Sequence, residues 1–389
     1  MGSYSQLTLD GYPIYTVKNG YDQIAVKLLF QPGDFLSEVR PNHSRNPLVW
    51  GEGYKDDPDN FHFYGFRQTV RNCLRRLEIY GMSPGKAKAN FLKARKSARD
   101  EFIYDFPIHR VPFSTYLAEI KYIMDHKLIH HDQIYTNLRD SLVSDELGIA
   151  GQSVTAHLYC LLQALPGDAT VEYDLTDVIE GGWVTLEDIE EIPTEKIIIL
   201  TEGKTDVEFI RGAMKILYPE LVPHYHFIDF AEYKIESNAS ALARLVTSFA
   251  AANVAHHLVV IFDNDTVGIM EMTRIDQSKL PKNIKVIRLP DTALARKYPT
   301  IGPTGPKRMN VNGLACGIEM YAGADVLMTG NQLSPVLWKG YIEKESKYQG
   351  ELQNKGLIQD KFREKLKKGV ATGLEDMNLI LQSIFTAFK

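Results

Sequence analysis

The sequence predicts a parallel sheet flanked by helices at residues 195–325, preceded by a mostly α-helical N-terminal domain and followed by a helical C-terminal segment. Helical periodicity dominates from residue 66, and β-branched runs alternate with amphipathic segments from residue 196. Between these regions, residues 172–195 carry nine Asp or Glu and no Lys or Arg. We therefore divide the chain into a β/loop segment (1–65), a helical domain with a basic face and an acidic connector (66–190), the α/β domain (195–325) and a C-terminal helical segment (326–389).

Composition favours an ordinary globular protein. The 389 residues are 44% hydrophobic and 24% charged, with a net charge of −5, so a nucleic-acid surface would have to be local. The three cysteines are far apart and form no zinc or disulfide pattern. Together with the lack of a signal-peptide pattern, they predict a cytoplasmic setting, and polar residues interrupt both longer apolar stretches (147–167 and 245–262), which excludes membrane-spanning helices.

The N-terminal half offers one hairpin and one basic face. TLDGYPIYTVKN alternates like a hairpin with its turn at Asp10-Gly11. Ten Lys or Arg and a single acid lie between residues 67 and 99, and Arg67, Arg71 and Arg75 have the spacing of one helix face. This face is a candidate phosphate-binding surface for nucleic acid; the alternative is a solvated surface.

Acidic residues follow two predicted parallel strands. Glu202 follows the run IIILT, Asp206 lies four residues later, and Asp263 and Asp265 follow VVIF. The carboxyl ends of neighbouring parallel strands border one crevice, where clustered carboxylates repel unless a cation neutralises them. Hard oxygen ligands without His or Cys suit Mg²⁺ or Mn²⁺ and phosphodiester chemistry, whereas a lone Asp after a strand is often a helix cap.

The combination of a β-run with Glu-Gly-Lys-x-Asp and a second β-run with Asp-x-Asp resembles the Toprim domain of topoisomerases, primases and OLD-family nucleases. The resemblance covers about residues 195–325 and implies a Mg²⁺-dependent catalytic domain for strand cleavage. It implies that Glu202 is an acid/base or metal-positioning group and that Asp206, Asp263 and Asp265 hold the ion. Glu319 resembles a further acidic position in nuclease-type members.

Four other residues near these motifs are weaker candidates. Lys204 lies beside the predicted metal site, and Lys307 and Arg308 lie in a Gly-rich loop; all three can meet a scissile phosphate. For Lys307 and Arg308, ordinary surface is the alternative. Asp291 ends the fourth predicted strand and is either a further ligand or a cap.

Most of the chain, from MGSYSQLTLDGYPIY and RNPLVWGEG to the α/β region, resembles bacterial HEPN/Toprim-associated proteins. The resemblance implies a role in anti-phage defence. Active HEPN ribonucleases carry an Arg, four to six spacer residues and a His, and none of the eleven His here has an Arg at that spacing. Residues 1–190 are therefore interpreted as a recognition, regulatory or assembly module.

Three hypotheses of function remain open at this point. The first is a Mg²⁺-dependent nuclease acting on RNA or DNA in bacterial defence. The second is a latent or non-catalytic nucleic-acid sensor or scaffold that works with a partner protein, and the third is a housekeeping RNA-processing enzyme. The expected partners are nucleic acid and a defence-system protein or a second copy of the chain, with no membrane.

Overall fold

The computed structural model describes residues 2–98, 104–129, 133–190, 195–228 and 238–389. The chain divides into two compact units, residues 1–194 with Lys389 (unit 1) and residues 195–388 (unit 2). Arg99, the last residue of the predicted basic stretch, and Pro193, within the predicted acidic stretch 172–195, lie outside the described residues. Within the described ranges, no helix has both the length and the apolar character that crossing a membrane requires.

Unit 1 contains a five-stranded antiparallel sheet with the strand order β2-β1-β5-β4-β3. The strands are β1 (Tyr4–Leu9), β2 (Tyr12–Lys18), β3 (Phe35–Pro41), β4 (Asn60–Thr69) and β5 (Thr170–Asp174). The predicted hairpin is confirmed: Asp10 and Gly11 join β1 to β2, both with positive φ, as a tight two-residue turn requires.

Helices pack around this sheet in unit 1. They are α1 (Gln23–Leu29), α2 (Pro47–Trp50), α3 (Val70–Ile79), α4 (Pro84–Ala98), α5 (Phe113–Asp125), α6 (Leu138–Ser144), α7 (Val154–Gln163), α8 (Thr176–Glu180) and α9 (Leu186–Glu190). Every residue of α7 from Ala156 to Leu162 is buried, so this helix runs through the core. A helix that is apolar on nearly all sides can be stable only when covered in this way.

The prediction of a mostly helical N-terminal domain was therefore incomplete. The β5 segment alternates buried and half-buried residues, but its acidic residues suggested a connector.

The predicted basic face does not lie on a single helix. Arg67 lies on β4, because the Thr69 side chain caps α3 and the helix begins only at Val70. Arg67 pairs with Glu172 on β5 (2.7 Å), apart from the exposed Arg71 on the helix.

Unit 2 contains the predicted parallel sheet, with the order β10-β8-β6-β7, and a second four-stranded sheet, with the order β12-β11-β16-β17. The strands of unit 2 are β6 (Ile197–Thr201), β7 (Tyr225–Phe227), β8 (Leu258–Phe262), β9 (Asn264–Asp265), β10 (Ile284–Arg288), β11 (Tyr298–Gly302), β12 (Gly305–Met309), β13 (Ala315–Cys316), β14 (Met328–Thr329), β15 (Gln332–Leu333), β16 (Val336–Ile342) and β17 (Lys347–Leu352).

Helices cover the parallel sheet. Those of unit 2 are α10 (Lys204–Leu217), α11 (Ala239–Ala251), α12 (Thr266–Thr273), α13 (Ala324–Leu327), α14 (Lys355–Lys367) and α15 (Glu375–Phe385). All five residues of β8 are buried, as expected for a strand covered on both faces. Phe209 of α10 meets Phe362 of α14 edge-on, with ring centroids 4.7 Å apart, and so joins the C-terminal helices to the sheet domain.

The C-terminal segment 326–389 is not helical throughout, contrary to our prediction. Residues 336–352 contain the antiparallel pair β16–β17. β16 also pairs in parallel with β11, which forms an antiparallel hairpin with β12. The exposed charged residues in this stretch conceal the alternation of a strand, and a bulge between Trp338 and Gly340 interrupts it further.

Candidate active site

The strand order reverses between β6 and β8. β7 lies on one side of β6, whereas β8 and β10 lie on the other. The crossover connections on the two sides therefore leave a crevice at the carboxyl ends of β6 and β8, the usual ligand position in an open α/β sheet. Glu202 directly follows β6 and Asp263 directly follows β8.

A backbone hydrogen bond fixes Glu202 against Asp263. The Asp263 N–H donates to Glu202 Oε1 over 2.8 Å. Gly268 closes over this contact, because a Cβ at that position would lie 2.9 Å from Glu202 Oε1 and 2.6 Å from the Asp263 carbonyl oxygen. Only glycine fits there, so the two acidic loops are joined closely.

Asp206 and Asp265 each occupy a helix N-terminus. The Gly203 N–H donates to Asp206 Oδ2 (2.8 Å) in the first turn of α10. Asp265 caps α12, since its Oδ1 accepts the Gly268 N–H (2.7 Å), and its Oδ2 accepts the amide of Gln349 on β17 (2.7 Å). Each of these two carboxylates therefore stabilises a helix N-terminus and also belongs to the candidate site.

Glu319 completes the set from a short helical turn after β13. Its side chain is buried, only 3% of the residue being exposed. It accepts the Gln359 amide (2.7 Å) and pairs with Lys355 (3.3 Å) on α14. A Cβ on Gly317 would lie 3.2 Å from Glu319 Oε2 and 3.3 Å from Asp263 Oδ2, so both carboxylates border one gap.

The shared environment raises the pKa values of three of these acids. Burial, with the charges of Asp265 and Asp206 added, raises the pKa of Glu202 to about 7. Burial and the Glu319 charge likewise raise the pKa of Asp206 to about 7. Burial and the surrounding carboxylates raise the pKa of Asp263 well above its ordinary value. Such a cluster is costly without a cation.

Lys355 is a cation within reach of this cluster. Burial alone would lower its pKa, but the charges of Glu319, Asp263 and Asp206 raise it overall. One ammonium group cannot balance five carboxylates. The site therefore retains negative potential, which favours a further cation or the close approach of donors.

A cavity of about 210 Å³ borders three of these acids. Its polar lining consists of Asp263, Asp265, Glu319, Lys339, Gln349, Glu351 and Lys355. Glu202 and Asp206 are not among the lining residues. Carboxylate and amide oxygens without His or Cys suit Mg²⁺ or Mn²⁺ by their chemistry. In the described ranges, however, no three His, Cys, Asp or Glu side chains are placed to hold a metal ion together.

The hydrogen bonds of the individual acids keep their side chains from pointing at one common position. Glu202 and Asp206 are turned towards backbone N–H groups, and Asp265 and Glu319 towards side-chain amides. The donor chemistry thus fits a hard divalent ion, whereas joint coordination requires some of these side chains to exchange partners. The residues can supply ligands, but the site is not preassembled.

Asp291 does not join this cluster. Its carboxylate pairs with Arg288 (2.8 Å) and accepts the Asn264 amide (3.0 Å). The Arg288 guanidinium, together with the Asn264 amide, lowers the Asp291 pKa, in contrast to the raised pKa values of the clustered acids. Asp291 therefore holds the Asp263–Asp265 loop rather than facing the cavity.

The predicted phosphate-binding cations of unit 2 occupy exposed positions. Lys204 is exposed at the start of α10, and Lys307 and Arg308 are exposed on β12, where Arg308 bonds the Lys297 carbonyl (3.2 Å). None of the three lines the cavity. Arg67, Arg71 and Arg75 belong to unit 1.

Sequence reasoning missed Lys355, Gln349 and Gln359. All three lie in the C-terminal segment: Gln349 is 84 residues beyond Asp265, whereas Lys355 and Gln359 are 36 and 40 residues beyond Glu319. Lys355 is one of many lysines in a basic stretch, and neither glutamine belongs to a motif. No local signal distinguishes them, because only the fold brings them to the crevice.

Comparison with known proteins bears on the N-terminal half. The family model described as HEPN/Toprim N-terminal domain 1 matches residues 1–196. The chain belongs to this family. Comparisons with curated proteins and with solved structures gave no match. This HEPN/Toprim-associated chain thus joins the family's N-terminal domain to an α/β unit with an acidic crevice.

Proposed function

We propose that unit 2 is a Toprim-type, Mg²⁺-dependent nuclease that cleaves phosphodiester bonds of RNA or DNA, in the setting of bacterial anti-phage defence. One observation carries the proposal: five acids meet beyond the carboxyl ends of β6 and β8, at the reversal of strand order. The family's N-terminal domain in the same chain is consistent with a nuclease-like or defence-related role.

The acids would have different roles according to their positions. Asp263, Asp265 and Glu319 line the cavity and would hold the ion, with Glu202 and Asp206 beside them. Mg²⁺ bound there supplies a Lewis acid for a phosphate oxygen and lowers the pKa of a coordinated water. Lys355, which also lines the cavity, gives a substrate phosphate a cationic partner that the carboxylates do not.

Cleavage is the test. The purified chain is incubated with Mg²⁺ or Mn²⁺ and, separately, with labelled tRNA, single-stranded RNA, plasmid and linear DNA. We expect one class to be cut by the wild type and by Glu343→Gln, which removes an exposed carboxylate outside the cavity. Asp263→Asn should lose cleavage by at least two orders of magnitude. Equal cutting by Asp263→Asn would exclude this crevice as the active site.

A latent or non-catalytic sensor is the second candidate. Protein donors engage four of the acids, namely Glu202, Asp206, Asp265 and Glu319, and this favours the sensor. In the described residues these acids are not arranged to hold a metal ion jointly. A latent protein would bind Mn²⁺ and nucleic acid without turnover. Cleavage by the isolated chain would eliminate this candidate.

A further inference from the structure

The hairpin of β16 and β17 carries three aromatic rings in one cluster. The Tyr341 and Tyr348 rings meet edge to face with centroids 5.1 Å apart, and the Trp338 ring lies 6.0 Å from that of Tyr348. Tyr341 faces Tyr348 across the strand pair. Trp338 faces Gly350, two residues beyond Tyr348, so all three side chains leave the same face of the sheet. We call Trp338, Tyr341 and Tyr348 the aromatic cluster.

The aromatic cluster is accessible to solvent. The exposed fractions of Tyr341 and Tyr348 are 51% and 52%, whereas Trp338 is half-buried. A Cβ on Gly302 would lie 2.9 Å from Trp338 Cδ1, and one on Gly350 would lie 3.1 Å from Trp338 Cε3. The two glycines thus leave room for the indole to lie against the sheet. Exposed aromatic side chains grouped in this way mark a binding surface, and their few rotatable bonds keep the entropic cost of binding low.

Hydrogen bonds hold the aromatic cluster beside the acidic crevice. The Tyr348 carbonyl oxygen accepts the hydroxyl of Thr266, the residue after Asp265 (2.8 Å). The Gln349 amide donates to Asp265 Oδ2 (2.7 Å), and Gln349, the chain neighbour of Tyr348, lines the acidic cavity. The cluster therefore begins next to the cavity lining, and its position relative to the candidate active site is fixed.

A cation lies on the same face of the sheet. Lys307 of β12 faces Thr300 of β11, and Thr300 in turn faces Val336 of β16. Val336 precedes Trp338 by two residues, so Lys307 and the aromatic cluster share a face. Lys307 is exposed there. Aromatic rings that stack on bases, combined with cations that meet the backbone phosphates, are how proteins bind single-stranded nucleic acid.

We propose that the aromatic cluster binds unpaired bases of the nucleic acid that the acidic crevice cleaves, so that the substrate class is single-stranded rather than duplex nucleic acid. A base stacks against the cluster, with Tyr348 at its centre, and a phosphate of the same strand meets Lys307. In a duplex, neighbouring base pairs cover the faces of the internal bases, which therefore cannot stack on the protein. The inference rests on the nuclease proposed above and specifies its substrate.

Fluorescence anisotropy of the full chain in the presence of a chelator measures this binding without cleavage. The probe is a labelled single strand of about 12 nucleotides, as RNA and as DNA, and the comparison is its duplex with the complementary strand. We expect the wild type to bind at least one of the two single strands on the order of tenfold more tightly than the corresponding duplex. Tyr348→Ala should weaken single-strand binding on the order of tenfold, whereas Tyr348→Phe, which keeps the ring, should bind like the wild type.

Tyr4→Ala is the matched control, because it removes an exposed tyrosine of unit 1 and should leave the affinity unchanged. Equal affinity of the wild type for single strand and duplex would overturn the proposal. So would undiminished binding by Tyr348→Ala, or equal losses in Tyr348→Ala and Tyr348→Phe. A dimer in sedimentation that Tyr348→Ala dissociates, without any change in nucleic-acid binding, would assign the cluster to a second copy of the chain instead.

The cleavage assay with Mg²⁺ separates this inference from the proposed function. Single-strand binding that depends on Tyr348, in a chain that cuts no nucleic acid, would support the aromatic cluster and exclude the nuclease. Cleavage by the wild type, with equal binding by the wild type and Tyr348→Ala, would support the nuclease and overturn the role of the cluster.

Discussion

Replacing Glu202 by Gln should stabilise the metal-free protein. The substitution keeps an oxygen that can accept the Asp263 N–H and removes one negative charge from the cluster. The pKa of Glu202 rises from 4.5 to about 7 on folding. Each pKa unit corresponds to about 1.4 kcal/mol, so the charged form costs about 3 kcal/mol.

The size of this effect depends on pH. A carboxyl whose pKa is raised by folding keeps its proton in the folded state after the unfolded chain has released it. Its cost is absent below about pH 4.5, grows up to about pH 7 and is fully present at pH 8. Glu202→Gln should therefore gain up to about 3 kcal/mol at pH 8 and little at pH 4.5.

Urea unfolding at pH 8 in the presence of a chelator measures this gain. The control Glu343→Gln should stay within about 0.5 kcal/mol of the wild type, because its side chain is exposed. At a Mg²⁺ concentration of about one hundred times the dissociation constant, the wild type should gain about 2.7 kcal/mol. Glu202→Gln should gain less. A loss of stability in metal-free Glu202→Gln would refute the view that this charge is uncompensated.

Three further substitutions give independent checks. Lys355→Met removes the cation paired with Glu319. The metal-free protein should lose only about 1–2 kcal/mol of stability, because the lysine is partly exposed. The stabilisation by Mg²⁺, measured in a thermal melt, should increase. Gly317→Ala places a methyl group between Glu319 and Asp263 and should weaken Mn²⁺ binding in calorimetry with little change in unfolding; undiminished Mn²⁺ affinity would show that the gap is not used. Burial lowers the pKa of His157 from 6.5 to about 4, so the unfolded chain takes up a proton that the folded protein does not. Between about pH 6.5 and pH 4, the stability of the wild type should therefore fall by about 3 kcal/mol relative to His157→Gln. The comparison of the two proteins cancels the contributions of the other titrating groups. Parallel pH profiles would contradict a buried, neutral His157 ring.

The acidic crevice could be anticipated from sequence because its main signal is local. β6 and β8 are apolar runs that end in acids, and covered parallel strands place such ends at one edge of the sheet. The hairpin at Asp10-Gly11 was predictable for the same reason, since two turn residues separate alternating strands. In each case a few neighbouring residues determine the structure.

The missed features depend on contacts between distant parts of the chain. Arg67 has helical spacing relative to Arg71, yet pairing of β4 with β5 extends the strand through Thr69. Lys355 and Gln349 reach the acids only because β17 and α14 pack beside the crevice. Periodicity identifies an element by its own residues, whereas tertiary pairing decides its limits and its neighbours.

Calorimetric binding of Mn²⁺ to the full chain at low ionic strength is the most direct test of the central claim. The account predicts saturable binding by the wild type and by Glu343→Gln, with affinity lowered at least tenfold in Asp263→Asn, since a carboxylate that lines the cavity is lost. Equal affinity in all three proteins, or no saturable binding by the wild type, would contradict a divalent-metal site at the ends of β6 and β8.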